Sequence, residues 1–532
     1  MTVLLFRTEA VQRLQIRSPD AAVRLCGACP EQRGPFSLDV HLRGTSMLDG
    51  ANKPLRRIEL DGAANVSTEA GHRAVAAGHW MIDVDHDRLR VRIQISRERY
   101  VEAVLTAESG PNEPAESLKA LAVTARSFAA AVPPRHEAGM LCDTTHCQAL
   151  RLEPVPQSLR EAVWNTSGET LWLHGKQVAA YFSQHCGGFT EDASVAWGGP
   201  TLSWLTAHSD AWCARVPSQW HTSLPEPDVR RALASEGFVF ANPIQEIVAT
   251  SRDRSGRVQQ VKLHALDGTR TMPAATLRFA LNRSLGWNQL RSDRYQVRRL
   301  GDRIVFDGSG FGHGVGLCQA GATAMASAGK GYRDILQAYF PGTAVRVRPQ
   351  DAGWLGLPAN GFTLRTLARD AALEAEAAHA FADARARWGS PLRAAPTLTV
   401  FPSTEAFRQA TGQPGWELAA TQGVRIAAQP KEVLRSHGGA GAVFRHEFLH
   451  SFVEAEASPT APLWLREGFV AVLNGESCAP QTLASADSTD AALLEPVSLA
   501  QSQQAHAAAC ALTKRIIAEH GLSAAHAMLR KP

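Results

Sequence analysis

Apolar and polar positions alternate through most of the first hundred residues, as in Phe36, Leu38, Val40 and Leu42 and again in Leu89-Arg90-Val91-Arg92-Ile93-Gln94-Ile95. A period of two puts every second side chain on one face, and the Gly, Pro and Asp breaks between the runs predict strands joined by turns. Shorter runs at 178–182, 245–249, 258–264 and 303–306 predict further strands, whereas 226–236 and 319–329 have helical spacing. The period changes at Tyr100. Val101, Val104 and Leu105 lie seven, four and three residues before Glu108, so a helix puts that carboxylate beside an apolar stripe, where it is hard to ionise. Ser109-Gly110-Pro111-Asn112 ends this helix, and Pro114 suits the first turn of a second. That second helix packs through Leu118, Leu121, Ala122, Ala125 and Phe128. Strands punctuated by a few helices predict an α+β fold.

The pattern shifts near 348–361, where Arg348-Pro349-Gln350-Asp351-Ala352-Gly353 and Pro358-Ala359-Asn360-Gly361 predict a linker between a domain at 1–347 and another at 362–532. Beyond it, Leu364 to Trp388 is alanine-rich at helical spacing, Leu398-Thr399-Val400-Phe401 is a strand, and Ser403 to Thr411 returns to helix. This domain is therefore mostly helical with a small sheet, of which Thr397 to Phe401 is expected to be the edge strand. His506 to Leu529 is expected to be a covering helix. At its centre stands His446-Glu447-Phe448-Leu449-His450, on a helix with Val443, Phe444, Phe448, Leu449 and Phe452 on its packing side. Two histidines four apart share a helix face and can bind one zinc ion, with the glutamate between them close by. Leu463-Trp464-Leu465-Arg466-Glu467-Gly468-Phe469 then supplies a second-helix carboxylate, 17 positions after His450.

A chain of 532 residues is too long for one ordinary core. Its 55 Lys+Arg against 51 Asp+Glu, net +4, give no polyanion-binding surface, which sets nucleic acid aside. No apolar run reaches membrane-spanning length, and Met1-Thr2-Val3-Leu4-Leu5-Phe6 is interrupted by Arg7 and Glu9 before it forms a signal core, so no export signal is visible. Nine cysteines is an odd number, so at least one is free or binds something. Cys26-Gly27-Ala28-Cys29 reads as a turn with buried thiols. Cys142-Asp143-Thr144-Thr145-His146-Cys147-Gln148 sets two thiols five apart beside an imidazole, which suits a metal or a disulfide equally. The alternating glycines of Gly310-Phe311-Gly312-His313-Gly314-Val315-Gly316 admit a ligand or form a turn, and residue chemistry alone favours the turn. His185-Cys186 reads as a packed pair rather than a nucleophile.

Several of these blocks, in order, resemble the stage II sporulation protein D (SpoIID) / amidase-enhancer family. They are Tyr100-Val101 through Glu108, Glu116 to Phe128, Cys142 to Gln148, Tyr181-Phe182-Ser183-Gln184-His185-Cys186-Gly187-Gly188-Phe189-Thr190, Trp197-Gly198, Gly310 to Ala322, Ile335-Leu336 and Tyr339-Phe340-Pro341-Gly342-Thr343. The resemblance implies a lytic transglycosylase that cleaves peptidoglycan glycan strands stripped of stem peptides, leaving 1,6-anhydro-N-acetylmuramic acid ends. Glu108 matches the family's catalytic acid and base, although Ser109-Gly110-Pro111 follows it where the family usually has Met-Pro. Arg126, Gln148, Gly187, Gly188, His313 and Gln319 are the implied substrate-binding residues. Cys142 and Cys147, with His146 as a third ligand, match a structural zinc site of some relatives, and a disulfide there would do similar work. The resemblance also implies a place in the cell envelope and a cell-wall amidase as partner.

The second domain resembles the gluzincin metallopeptidases over roughly residues 395 to 475. That likeness implies zinc held by His446, His450 and Glu467, Glu447 as general base, and a peptide substrate. The expected protein thus joins a glycan-cleaving domain to a zinc peptidase domain. Two other readings stay open: a non-catalytic peptidoglycan-binding or amidase-enhancing protein with a degenerate second domain, and a metallopeptidase with an N-terminal targeting domain.

Overall fold

The computed structural model describes all residues except 20, 26–28, 134, 138–139, 477, 479–484, 495, 497 and 531–532. It parts into two compact units, Met1–Pro349 and Gln350–Pro532. Much of the expected linker is sheet. Leu355–Ala359 pairs antiparallel with Phe362–Thr366, Ala359 facing Phe362, so Asn360-Gly361 is a two-residue hairpin turn. Gly361 has φ +95°, and a Cβ there would lie 2.6 Å from the Phe381 ring. Tight turns and linkers draw on the same residue types, which is why composition alone misread this one.

The first unit is built on an 11-stranded sheet. Its centre is the long hairpin Ile58–Thr68 and Arg73–Asp85, flanked by Arg88–Gln94 and Thr2–Leu5 on one side and Arg13–Ser18 and Phe36–Arg43 on the other. Leu141–Cys142 adds to the Thr2–Leu5 edge in parallel, which fixes where the first thiol of the Cys/His loop sits. Helices Arg97–Glu108 and Ala115–Ala131 pack against this body through Val101, Val104, Leu105 and Leu121, all at most 1% exposed. The α+β expectation holds, and the helix break falls between Glu108 and Ala115 as the Gly-Pro-Asn run requires.

Residues between Gln219 and Ser309 wrap a core of their own, from Trp220 to Phe306. Two three-stranded sheets and the helices Glu226–Ala234 and Ala274–Leu285 form this inserted module. Its strands Gln219–Pro225, Gly268–Pro273 and Tyr295–Leu300 were not foreseen, and the run expected at 178–182 contributes only Phe182–Ser183.

In the second unit the sheet order is Leu355–Ala359, Phe362–Thr366, Thr397–Val400, Arg425–Ala428, Ala419–Gln422. Thr397–Val400 is therefore central, not the edge. Leu398, Thr399 and Val400 are consecutively buried, the mark of a strand covered on both faces. The edge beside the histidine helix is Ala419–Gln422. Helices Ala371–Trp388 and Ala440–Glu456 share a core of Phe381, Phe448 and Phe452. The expected C-terminal helix is two, Leu499–His520 and Leu522–Arg530, broken at Gly521. Two cysteine features escaped the sequence reading: a disulfide joins Cys478 to Cys510, and Cys29 is disulfide-bonded rather than a free buried thiol. Cys26, Gly27 and Ala28 lie outside the described residues. Among the described residues no helix is long and apolar enough to cross a membrane.

Candidate functional site

A cavity of about 1400 Å³ opens in the first unit, with Glu108 in its wall. Small-molecule pockets are typically ~300–1,000 Å³, so this one suits an extended ligand. The 97–108 helix ends at Glu108 and points its carboxylate into the cavity beside Gln148, Ala149 and Gln319. Burial pushes the Glu108 carboxyl up to about 7, opposed only by a hydrogen bond from the Ala149 backbone and the charge of Arg151. At neutral pH a large fraction of it therefore keeps its proton. Gln319 Nε2 donates to the Glu108 carbonyl oxygen at 2.8 Å, holding the helix end to the start of the Gln319–Ser327 helix. Gln148 accepts from the Tyr100 hydroxyl at 2.9 Å, and its buried Nε2 has no protein partner among the described residues.

One other carboxylate in this wall is shifted. Burial, then the neighbouring Asp253, push Glu191 up to about 7. Its oxygens are taken, however, by the Asp192 backbone N–H and the Ser255 hydroxyl, each at 2.7 Å. Glu108 is the acid left free to meet a ligand.

Aromatic rings line the cavity: Tyr181 lies 4.7 Å from Trp197, and Trp197 5.0 Å from His313, between centroids. The inserted module adds Arg278, Phe279, Trp287 and Arg291 to the same wall. Sequence reasoning missed these four, because they lie between the Trp197-Gly198 and Gly310 to Ala322 blocks, outside the residues that carry the resemblance.

His313 takes part through its ring face. Its Nδ1 accepts from the Val315 N–H at 3.0 Å, and burial, with Arg278 and Arg257 adding to it, pulls the imidazole down to about 3, leaving it neutral. The glycines around it serve the chain's own packing: a Cβ at Gly314 would meet the Arg257 guanidinium at 2.0 Å, and one at Gly316 the Tyr181 carbonyl at 2.2 Å. This is the turn reading.

Three expected substrate-binding residues do not reach the cavity. Arg126 is fully buried, gripping the Glu98 carboxylate at 2.5 to 3.2 Å and the Glu169 carbonyl at 3.0 Å, so it ties the two helices to the loop behind them. Gly187 and Gly188 form a positive-φ turn against Arg294 and Ala214.

The loop after the second helix gathers His136, Cys142, His146 and Cys147, with donor atoms all within 4.8 Å. Both cysteines are free thiols, each 3.9 Å from His146 Nδ1. His136 was not singled out from sequence, standing six residues before Cys142 and outside the Cys142 to Gln148 block. Two thiols and two imidazoles are a donor set that fits zinc.

In the second unit His446, His450 and Glu467 likewise bring donor atoms within 4.8 Å. The two Nε2 atoms face each other at 3.0 Å, and Glu467 Oε2 lies 3.3 Å from His450. Among the described residues that buried oxygen has no well-directed hydrogen bond, which leaves it able to meet a cation. Glu476 Oε1 lies 2.6 Å from His446 Nδ1, which orients the ring. Glu447 accepts from Thr421 of the edge strand at 2.6 Å. His506 Nε2 stands 3.4 Å from Glu467. Glu476, Thr421 and His506 were not foreseen, since each reaches the site from a different element with no fixed spacing to the motif.

Residues 85–172 match the family model described as Stage II sporulation protein, and residues 217–316 match a domain of unknown function (DUF8618) that coincides with the inserted module. Both lie in the first unit. The chain is 29% identical over 264 residues to an uncharacterized protein of Brachyspira hyodysenteriae, covering 49% of this chain and 69% of that protein. It is 26% identical over 278 residues to stage II sporulation protein D of Bacillus subtilis, covering 47% and 74%. With the amidase enhancer of Bacillus subtilis the identity is 24% over 271 residues, 43% of this chain and only 38% of that protein.

Proposed function

We propose that this is a cell-wall remodelling protein of the cell envelope whose first unit cleaves denuded peptidoglycan glycan strands and whose second unit is a zinc-dependent peptidase. The single observation that carries the first half is Glu108, an acid held near pKa 7 by burial in the wall of a long cavity. Such a group protonates a glycosidic oxygen as the bond breaks, then takes the proton of the sugar's own C6 hydroxyl as that oxygen closes on C1. One carboxyl suffices because the nucleophile is intramolecular, and the product ends in 1,6-anhydro-N-acetylmuramic acid. Exposed aromatic faces at Trp197 and Trp287 suit sugar rings, and Arg291 suits the lactyl carboxylates that a stripped strand exposes, whereas Arg278 is held by Asp293 at 2.9 Å. An amidase that removes stem peptides is the matching partner, in keeping with the relatives named stage II sporulation protein D and amidase enhancer.

In the second unit His446, His450 and Glu467 are the residues that would hold zinc, which when bound supplies Lewis acidity toward a peptide carbonyl. Glu447 takes the proton of the attacking water, with Thr421 fixing its carboxylate. The Ala419–Gln422 edge suits an extended peptide, and His506 is positioned to donate a proton across the site.

Mass spectrometry of amidase-treated strands incubated with the protein tests the first half. Anhydro ends that vanish in Glu108→Gln support it; unchanged strands favour a binding protein.

A further inference from the structure

A third cluster of metal-ligating side chains lies apart from both sites. Cys186, Cys213 and Cys318 come from segments 27 and 105 residues apart, yet their sulfurs and an Asp210 carboxylate oxygen all lie within 4.8 Å of one another. All three thiols are 0% exposed and Asp210 is 5% exposed. We propose that these four groups form a structural metal site, three thiolates and one carboxylate around a single zinc ion.

Three buried cysteines can also be small packed hydrophobes, and two of them can pair as a disulfide. Apolar packing does not explain the carboxylate. Among the described residues no lysine or arginine forms an ion pair with Asp210. It is instead fixed in place: Oδ1 accepts from the backbone of Trp212 at 3.1 Å and Cys213 at 2.9 Å, and Oδ2 from the Tyr339 hydroxyl at 2.7 Å. That Oδ2 lies 3.4 Å from Cys186 Sγ. These hydrogen bonds hold Oδ2 toward the three sulfurs, where it is placed to serve as a fourth ligand.

One of the sulfurs, that of Cys318, is also prepared for negative charge. Cys318 Sγ accepts from the backbone N–H of Cys186 at 3.2 Å and of Gly321 at 3.5 Å, and it caps the N-terminus of the Gln319–Ser327 helix. Outer hydrogen bonds of this kind orient and stabilise thiolate ligands. Gly321 is required by the same arrangement, because a Cβ there would fall 2.0 Å from the Tyr339 hydroxyl and 2.6 Å from Asp210. Three soft sulfurs and one hard oxygen in a closed pocket select zinc over calcium or magnesium. The ion would join the 186–188 turn, the 210–215 loop and the residue before Gln319, and so hold the floor of the cavity under Glu108.

Cobalt substitution of the full chain carrying Cys142→Ser and Cys147→Ser tests this independently of any activity. That variant removes the thiols of the other cysteine cluster, and the site around His446 contains none. A thiolate-to-cobalt charge-transfer band in the near ultraviolet, with the visible bands of tetrahedral cobalt, is the expected result. Adding Cys213→Ser should reduce the band and remove one equivalent of metal, whereas Cys213→His should keep that equivalent. Absence of the band from the folded double variant, or a disulfide among Cys186, Cys213 and Cys318 in peptide maps of the wild type, overturns the proposal.

Discussion

Glu108 and Glu467 are both helix-borne carboxylates withdrawn from water, yet they titrate in opposite directions. Burial pushes Glu108 up to about 7, with no cation in contact to oppose it. Burial acts on Glu467 in the same sense, but the imidazoles of His450 and His506, at 3.3 and 3.4 Å, outweigh it and hold the carboxyl well below the ordinary range. Desolvation is common to both; contact with positive charge decides the outcome. The first is suited to carry a proton and the second to carry a cation.

The sharpest test of the two units is to remove, in each, the carboxylate proposed to move a proton. Glu108→Gln should lower glycan cleavage by about 10²–10⁴-fold and leave peptide hydrolysis unchanged, and Glu447→Gln should do the reverse, read from product formation on each substrate. Next in size, Glu476→Gln frees His446 from its orienting carboxylate and should weaken metal binding by about 10–100-fold, measured by competition with a chelator.

A smaller effect concerns stability. Glu108 has a folded pKa of about 7. The unfolded value is about 4.3, so the folded state binds the proton more tightly. Below both values the charge contributes nothing; as pH rises from about 4.3 to 7 the unfolded chain ionises first and stability is lost. Glu108→Gln should therefore be more stable than the wild type by about 1–2 kcal/mol above pH 7, after allowance for partial exposure, and equal to it near pH 4, as followed by denaturant unfolding. The smallest change would break the contrast directly. The wild-type rate of glycan cleavage should fall as pH rises through about 7, and Ala149→Arg, which brings a cation to Glu108, should move that limb down by about one unit.

How much of this was legible depended on whether signals were local. The helix ending at Glu108, the break after it, and the shared face of His446 and His450 follow from spacing within one element, and all three are as the sequence predicts. Thr397–Val400 was read as an edge because a short apolar strand looks the same alone or covered; its neighbours on both sides come from residues 362–366 and 425–428. Arg126 lies in a run that resembles the family's, but its partner Glu98 stands 28 residues earlier, and only the fold shows that the pair is spent on packing. The contributions of Glu476, His506, Trp287 and Arg291 depend on tertiary placement, for which no period in the sequence exists.

The inserted module leaves and rejoins the first unit at neighbouring points, Gln219 lying opposite Ser309 and the Ser218 carbonyl accepting from the Gly310 N–H at 3.1 Å. A segment with adjoining ends can be exchanged for another of different size without moving the framework that receives it. The residues it lends to the cavity can therefore diverge while Glu108 and its supporting helix stay fixed, so that what the cavity accepts and the acid it presents become separately evolvable properties of one chain.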